Sequence, residues 1–336
     1  MRYNLRIDKR KRTFSDWPVM LVTFSISLLC WIACYIESSG FPLTANDTIL
    51  PLWKKLCMLM TNKAIAYSCG ILFMILIAYV IQRISDIEML IRERTRLVFI
   101  IFVLLTSTNV GMLPFKESMI VLLCLVFMIY ELFNAYQLPE ATGKLFNTGV
   151  LIGISGLFLP QTLWFMPLVW LGIYQFLSLS YRNFLASLIG MLTIYWFVLA
   201  WCVWTNDFSM FSALFSSLTD FNFLSIFLSF RYYQLGFIGI VLLMIVAFFH
   251  IKRDAINNRV RVRQMLSFLL NMSVWSLVLI CLYGGDTDSF LAIFFLPVSV
   301  LIAYFFENMG YRFRFMLYYF ILALTAVSFI IRIWSY

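Results

Sequence analysis

The sequence predicts an all-α polytopic integral membrane protein, a helix bundle of about 11 transmembrane helices with its N-terminus cytoplasmic. Three observations carry that expectation. Of the 336 residues, 63% are hydrophobic and only 12% are charged, and the mean hydropathy of +0.92 lies far above that of soluble domains. Apolar runs of about 18 residues, the length that crosses a hydrocarbon core of about 30 Å, recur almost to the last residue. Basic residues gather in alternate loops between those runs, as they do in chains whose cytoplasmic segments carry the positive charge.

Residues 1–17 form a basic tail holding Arg2, Arg6, Lys9, Arg10, Lys11 and Arg12. The run 18–36 is long enough to span, and no small-x-small cleavage pattern follows it, so an uncleaved first helix is expected. Further spans fall at 64–81, 97–114, 118–135, 146–160, 163–179, 184–205, 233–251, 265–283, 289–306 and 315–331. The stretch 146–179 is too long for one span, and Pro160, Gln161, Thr162 and Pro167 break it where a tight hairpin would turn. Residues 18–336 thus read as one transmembrane domain. Two apolar segments with polar interruptions, near 49–60 and 207–230, read as helices lying in the outer interface; in the second, Phe208, Phe211, Phe215 and Leu218 recur at helical spacing.

With the N-terminus inside, 19 of the 25 basic residues fall on cytoplasmic segments. The net charge of +9 follows from that topology and from anionic lipid, with no call for nucleic acid. No phosphate-cradling glycine loop, nucleophile elbow or H-E-x-x-H pattern occurs, and the single histidine, His250, sits at a helix end. The seven cysteines form no C-x-x-C pair and lie mostly inside apolar runs, where they read as packing residues. Spans hold almost no charge apart from Glu131 near an inner end, which disfavours an ion-coupled pump but leaves a carrier of lipid or neutral solute open. Gly149, Gly153, Ser155 and Gly156 suit small-residue helix packing.

The acids Glu37, Asp47, Glu117, Asp207, Asp220, Asp286 and Asp288 all fall on the outer face. Asp286 and Asp288 belong to "LYGGDTDSF", residues 282–290, which admits two readings. It is a glycine turn followed by acids favoured at a helix N-terminus, or it is part of a polar site binding substrate or a divalent cation. Joint placement beside two interfacial helices would let the acids line a cavity open to both lipid and water.

Two resemblances extend the reading. The block "FNTGVLIGISGLFLPQTLWFMPLVWLGIYQFLSLSYRNFLASLIGMLTIYWF", 146–197, preceded by "VIQRISDIEMLIRERTRLVFIIFVLLTSTNVGMLPFKESM", resembles an uncharacterised family of multi-pass inner-membrane proteins of Bacteroidetes. More distantly, the order of segments resembles the C-type glycosyltransferases, which use polyprenyl-phosphate sugars. The shared order is an acidic first outer loop, an arginine-bearing inner loop, a second outer acid, a "GVLIG" span leading into a Pro-rich hairpin, and a late outer loop opening "FLAIFFLPVSVLIAYFF". That likeness implies a glycosyltransferase-like role in assembling cell-envelope glycan from a lipid-linked sugar. It places Asp47 as base or metal ligand, Glu117 as the second outer acid of a catalytic pair and Arg231 as a phosphate contact. The alternative is a non-enzymatic membrane protein, a carrier of lipid-linked material or an accessory subunit of an envelope machine.

The charge partition and the odd span count give one direct expectation: a reporter enzyme fused after Tyr336 is exported and active outside the cytoplasm. A reporter that stays cytoplasmic shows that one span is misassigned.

Overall fold

The structure, a computed structural model, describes residues 17–37, 53, 62–91, 95–107, 109, 112–221, 234–254, 259–284 and 287–308, and those from 318 to 329 except 324 and 328. All described elements are helical. They are α1 (Trp17–Glu37), α2 (Lys63–Ile87), α3 (Leu97–Ser107), α4 (Glu117–Asn134), α5 (Thr142–Phe158), a 3-10 turn (Pro160–Phe165), α6 (Met166–Gln175), α7 (Tyr181–Thr205), α8 (Ser209–Thr219), α9 (Gln234–Asp254), α10 (Val260–Leu282) and α11 (Thr287–Asn308). Five of them, α2, α4, α7, α10 and α11, are long and apolar enough to cross a bilayer. The chain is a membrane protein with transmembrane helices.

Helix α11 is the centre of the bundle, with its apolar stretch buried throughout. It packs against α10, α3, α9 and α4. Phe290, Phe294, Phe295, Phe305 and Phe306 fill the space between them. Pro297 lies inside this helix and cannot donate to the carbonyl one turn back. Such a break is tolerated in a transmembrane helix wedged among neighbours. Around this centre α2 lies on α3 and α4, α1 lies on α3, and α5 is held between α4 and α7.

The α5–α7 contact is set by glycine. A Cβ on Gly149 would overlap the Ser187 carbonyl oxygen, and one on Gly190 would overlap the Phe146 carbonyl oxygen, so the two backbones touch. Gly153 faces Ile194 across the same seam. Small residues that admit close backbone approach drive helix association in lipid, where burying an apolar side chain gains little. The sequence expectation for Gly149 and Gly153 is therefore met.

Local chemistry fixes where these helices begin and end. Ser180 caps α7 through a hydrogen bond donated by the Asn183 amide, 3.2 Å. The Asn183 side chain donates to the carbonyls of Ser178, 2.7 Å, and Pro139, 3.2 Å, tying two loops together. Asn206 ends α7 in the left-handed region, φ 53°.

Two spans are shorter than the sequence suggested. Helix α3 covers 97–107 of the expected 97–114, because the chain around Met112–Phe115 instead crosses α2. There Phe115 N donates to the Ala66 carbonyl, 3.2 Å, and Gly70 leaves room for the Leu113 carbonyl. The expected span 163–179 is a 3-10 turn followed by the ten-residue α6. Pro160 and Pro167 each stand at the start of their element, where a missing N–H costs nothing. The reversal itself falls at Leu159–Thr162, closed by a 3.0 Å bond between the Ser155 and Thr162 hydroxyls.

If backbone contact between α5 and α7 holds this pair, Gly149→Ala and Gly190→Ala should each cost about 1–3 kcal/mol. Gly143→Ala on the same helix α5 meets nothing within 4 Å and should be neutral or stabilising. Thermal unfolding in detergent reads the contrast, and equal effects at the three sites would rule the seam out.

Candidate functional site

The helices run alternately between two ends, named here by the residues that organise them. The Tyr283 end collects Lys63, the 112–116 turn, the Leu159–Phe165 reversal, α8, Tyr283 and the start of α11. The Glu88 end collects Glu88, the 135–141 and 176–180 connections, the end of α9 and the start of α10.

At the Tyr283 end, Glu117 lies in the first turn of α4, after Lys116 in extended conformation, and Asp288 lies in the first turn of α11. A carboxylate there faces unsatisfied N–H groups and the positive end of the helix dipole. The two starts are brought together. Ser118 and Met119 of α4 and Ala292 of α11 line one small, mainly apolar void of about 10 Å³ with Met74, Phe102, Thr106 and Met112. Asp47, Arg231 and Asp286 lie outside the described residues. Among the described residues no three His, Cys, Asp or Glu side chains gather into a metal site.

Next to those helix starts is an aromatic lock. Trp164 Nε1 donates to the Tyr283 hydroxyl, 2.8 Å, and that hydroxyl donates to the Leu218 carbonyl, 2.6 Å. Trp275 Nε1 donates to the Trp164 carbonyl, 2.7 Å. The Tyr283 ring stacks on Phe290, with centroids 5.7 Å apart, and touches Phe221 at 5.3 Å. Tyr283 thus joins the 3-10 turn, the C-terminus of α8 and both helices of the α10–α11 connection. Burial raises the phenol's affinity for its proton, the Trp164 bond opposes this, and the Asp220 carboxylate adds to it. The sequence placed Tyr283 in a stretch singled out for its acids and glycines; an aromatic at the very end of the expected span 265–283 was the signal for it.

Helix α8 occupies part of the expected interfacial segment 207–230. Leu214 is its buried contact, packed with Val198 and Cys202 of α7, while Phe211 is half-buried against them. Phe208 and Phe215 remain exposed. The apolar face of α8 thus divides between protein and surroundings.

The Glu88 end holds a pair that sequence reasoning missed. Arg261 Nη2 donates to Glu88 Oε2 at 2.6 Å, linking the end of α2 to the start of α10; the carboxylate is 3% exposed and the guanidinium 49%. The guanidinium also lies over the Tyr136 ring at 5.6 Å. Burial raises the Glu88 pKa, and the charge and hydrogen bond of Arg261 pull it back down. Beside it, Gln82 donates to the Thr95 carbonyl, 2.7 Å, and accepts from the Phe99 amide, 3.1 Å. Nothing in the spacing of residues 88 and 261 reveals their contact, since it depends on how α2 and α10 pack.

A raised carboxyl pKa favours the folded state fully below the ordinary value of about 4.3, and that advantage is lost as pH rises through the raised value. At pH 7 Arg261→Gln should therefore destabilise, by less than the about 3–5 kcal/mol of a fully buried pair because the guanidinium is half exposed. Glu88→Gln should cost less, and the Arg261→Gln defect should shrink on acidification. Denaturation of both variants at pH 7 and pH 5 checks the asymmetry.

No curated protein and no solved structure matches the chain. The model of a family of unknown function, DUF6427, matches residues 52–336, nearly the whole bundle described above. By that match the chain belongs to the DUF6427 family.

Proposed function

We propose that the protein acts on a lipid-linked sugar at the outer boundary of a bacterial inner membrane, as a transferase of the polyprenyl-phosphate-dependent kind. In this reading about eleven spans cross the membrane, the N-terminus is cytoplasmic, and the Tyr283 end faces out. The distribution of charge supports that orientation. Among the described residues Arg83, Arg96, Lys144, Arg182, Lys252, Arg253, Arg259, Arg261 and Arg263 belong to the Glu88 end, against Lys63 and Lys116 at the Tyr283 end.

The observation that carries the functional reading is the placement of Glu117 and Asp288 in the first turns of two helices that pack together, α4 and α11, at the end where α8 lies. A lipid-linked donor and its water-borne acceptor meet only at the membrane boundary. A carboxylate within hydrogen-bond reach of an acceptor hydroxyl acts as general base, and a cation neutralises the departing phosphate. Asp47 and Glu117 take the first task and Arg231 the second, with Asp286 and Asp288 on the substrate or on a divalent cation.

A second reading, a non-enzymatic carrier or accessory subunit, is favoured by one specific fact. Glu117 and Asp288 both stand in first turns, where the helix dipole alone accounts for an acid. The two readings separate on incubating the purified protein with a labelled polyprenyl-phosphate sugar and acceptor glycan. The transferase reading expects transfer, lost by about 10²-fold or more in Asp47→Asn and in Glu117→Gln at unchanged membrane abundance. Binding without transfer identifies the carrier, and neither binding nor transfer refutes the proposal.

A further inference from the structure

Helix α9 has an uncovered face, and its residues are ordered along the axis. Ile238, Leu242, Ile245, Val246 and Phe249 are exposed. Their spacing of three and four residues puts them on one side of the helix. The same spacing continues to Lys252 and Arg253, both exposed, in the last turn. From Leu242 to Lys252 the axial rise is about 15 Å, half of a hydrocarbon core of about 30 Å. The face is therefore an apolar strip one leaflet deep that ends in two cations.

Those cations face no carboxylate among the described residues. Among the described residues neither Lys252 nor Arg253 forms an ion pair, and Lys252 Nζ lies 5.7 Å from the Phe248 ring centroid. The adjacent acid, Asp254, is turned away toward His250 Nδ1 and the Asn308 amide, each at 3.4 Å. Across the connection to α10, Arg259 and Arg263 are exposed one turn apart and add positive charge. The carbonyl end of α9 repels anions, so side chains alone must hold one there.

We propose that this face of α9 binds an anionic phospholipid, with its acyl chains along Ile238–Phe249 and its phosphate between Lys252 and Arg253. The match is one of shape and charge together. A chain-bearing amphiphile covers the strip, and a negative headgroup neutralises cations that sit at the depth of the lipid phosphates. The proposal stands on α9 alone and does not depend on the transferase reading.

Native mass spectrometry of the full-length protein with added phosphatidylglycerol or phosphatidylcholine tests it. The wild type should retain phosphatidylglycerol in preference. Lys252→Gln with Arg253→Gln should reduce that preference by roughly tenfold, whereas Lys252→Arg with Arg253→Lys should keep it. A benzophenone side chain at Phe249, with both cations intact, should crosslink phosphatidylglycerol over phosphatidylcholine, so the test survives a poorly folding charge variant. Equal retention of the two lipids, or an unchanged preference in the double glutamine variant, overturns the proposal. Displacement of phosphatidylglycerol by millimolar inorganic phosphate also overturns it, since the site would then be one for free anions.

Discussion

The architecture depends on enclosing one apolar helix completely. Helix α11 has neighbours on every side, and five phenylalanines of its length are fully buried. In water such burial would be driven by the hydrophobic effect, at roughly 25 cal/mol per Å². In a bilayer the alternative environment is equally apolar, so the enclosure is held by van der Waals fit and by the few polar contacts that the lipid cannot offer. That constraint decides what the surrounding helices look like. Of the helices touching α11, α4 and α10 are themselves substantially buried and α9 keeps one face exposed, whereas α7 touches mainly α5 and leaves most of its surface uncovered.

The polar contacts sit at the two ends, where water and headgroups are near. At one end Glu88 and Arg261 join residues 173 positions apart in sequence, and at the other Tyr283 joins three separate segments. Between them the middle of the bundle is apolar packing with hydroxyls turned back on their own helices, as for Ser299 to Leu296 and Ser273 to Leu270. Glycine fixes the close contacts. Gly149 and Gly190 let α5 and α7 meet backbone to backbone, and Gly70 lets the 112–115 chain lie on α2. The helices are thereby registered by sites where a methyl group has no room.

Much of the fold was legible in the sequence because the bilayer restricts the choices. Long apolar runs must be helices, and prolines and polar clusters mark their ends, as at Leu159–Thr162. The shortening of α3 was not legible, since its cause is a tertiary one, the chain turning onto Gly70. The site was legible only in part. Composition drew notice to the acids, and the structure puts Glu117 and Asp288 at neighbouring helix starts. The Glu88–Arg261 pair and the tyrosine that locks α8 were missed because a side chain's partner across a bundle leaves no trace in local periodicity.

The central claim is that the bundle crosses the membrane with its Glu88 and Tyr283 ends on opposite faces. Single cysteines at Arg253 and Arg182, and at Lys116 and Ser216, placed in a protein whose seven native cysteines are replaced by alanine, test it with a membrane-impermeant maleimide. In sealed right-side-out vesicles the account predicts labelling at positions 116 and 216 with protection at 182 and 253, and the reverse pattern in inverted vesicles. Labelling of all four positions from the same side would contradict it.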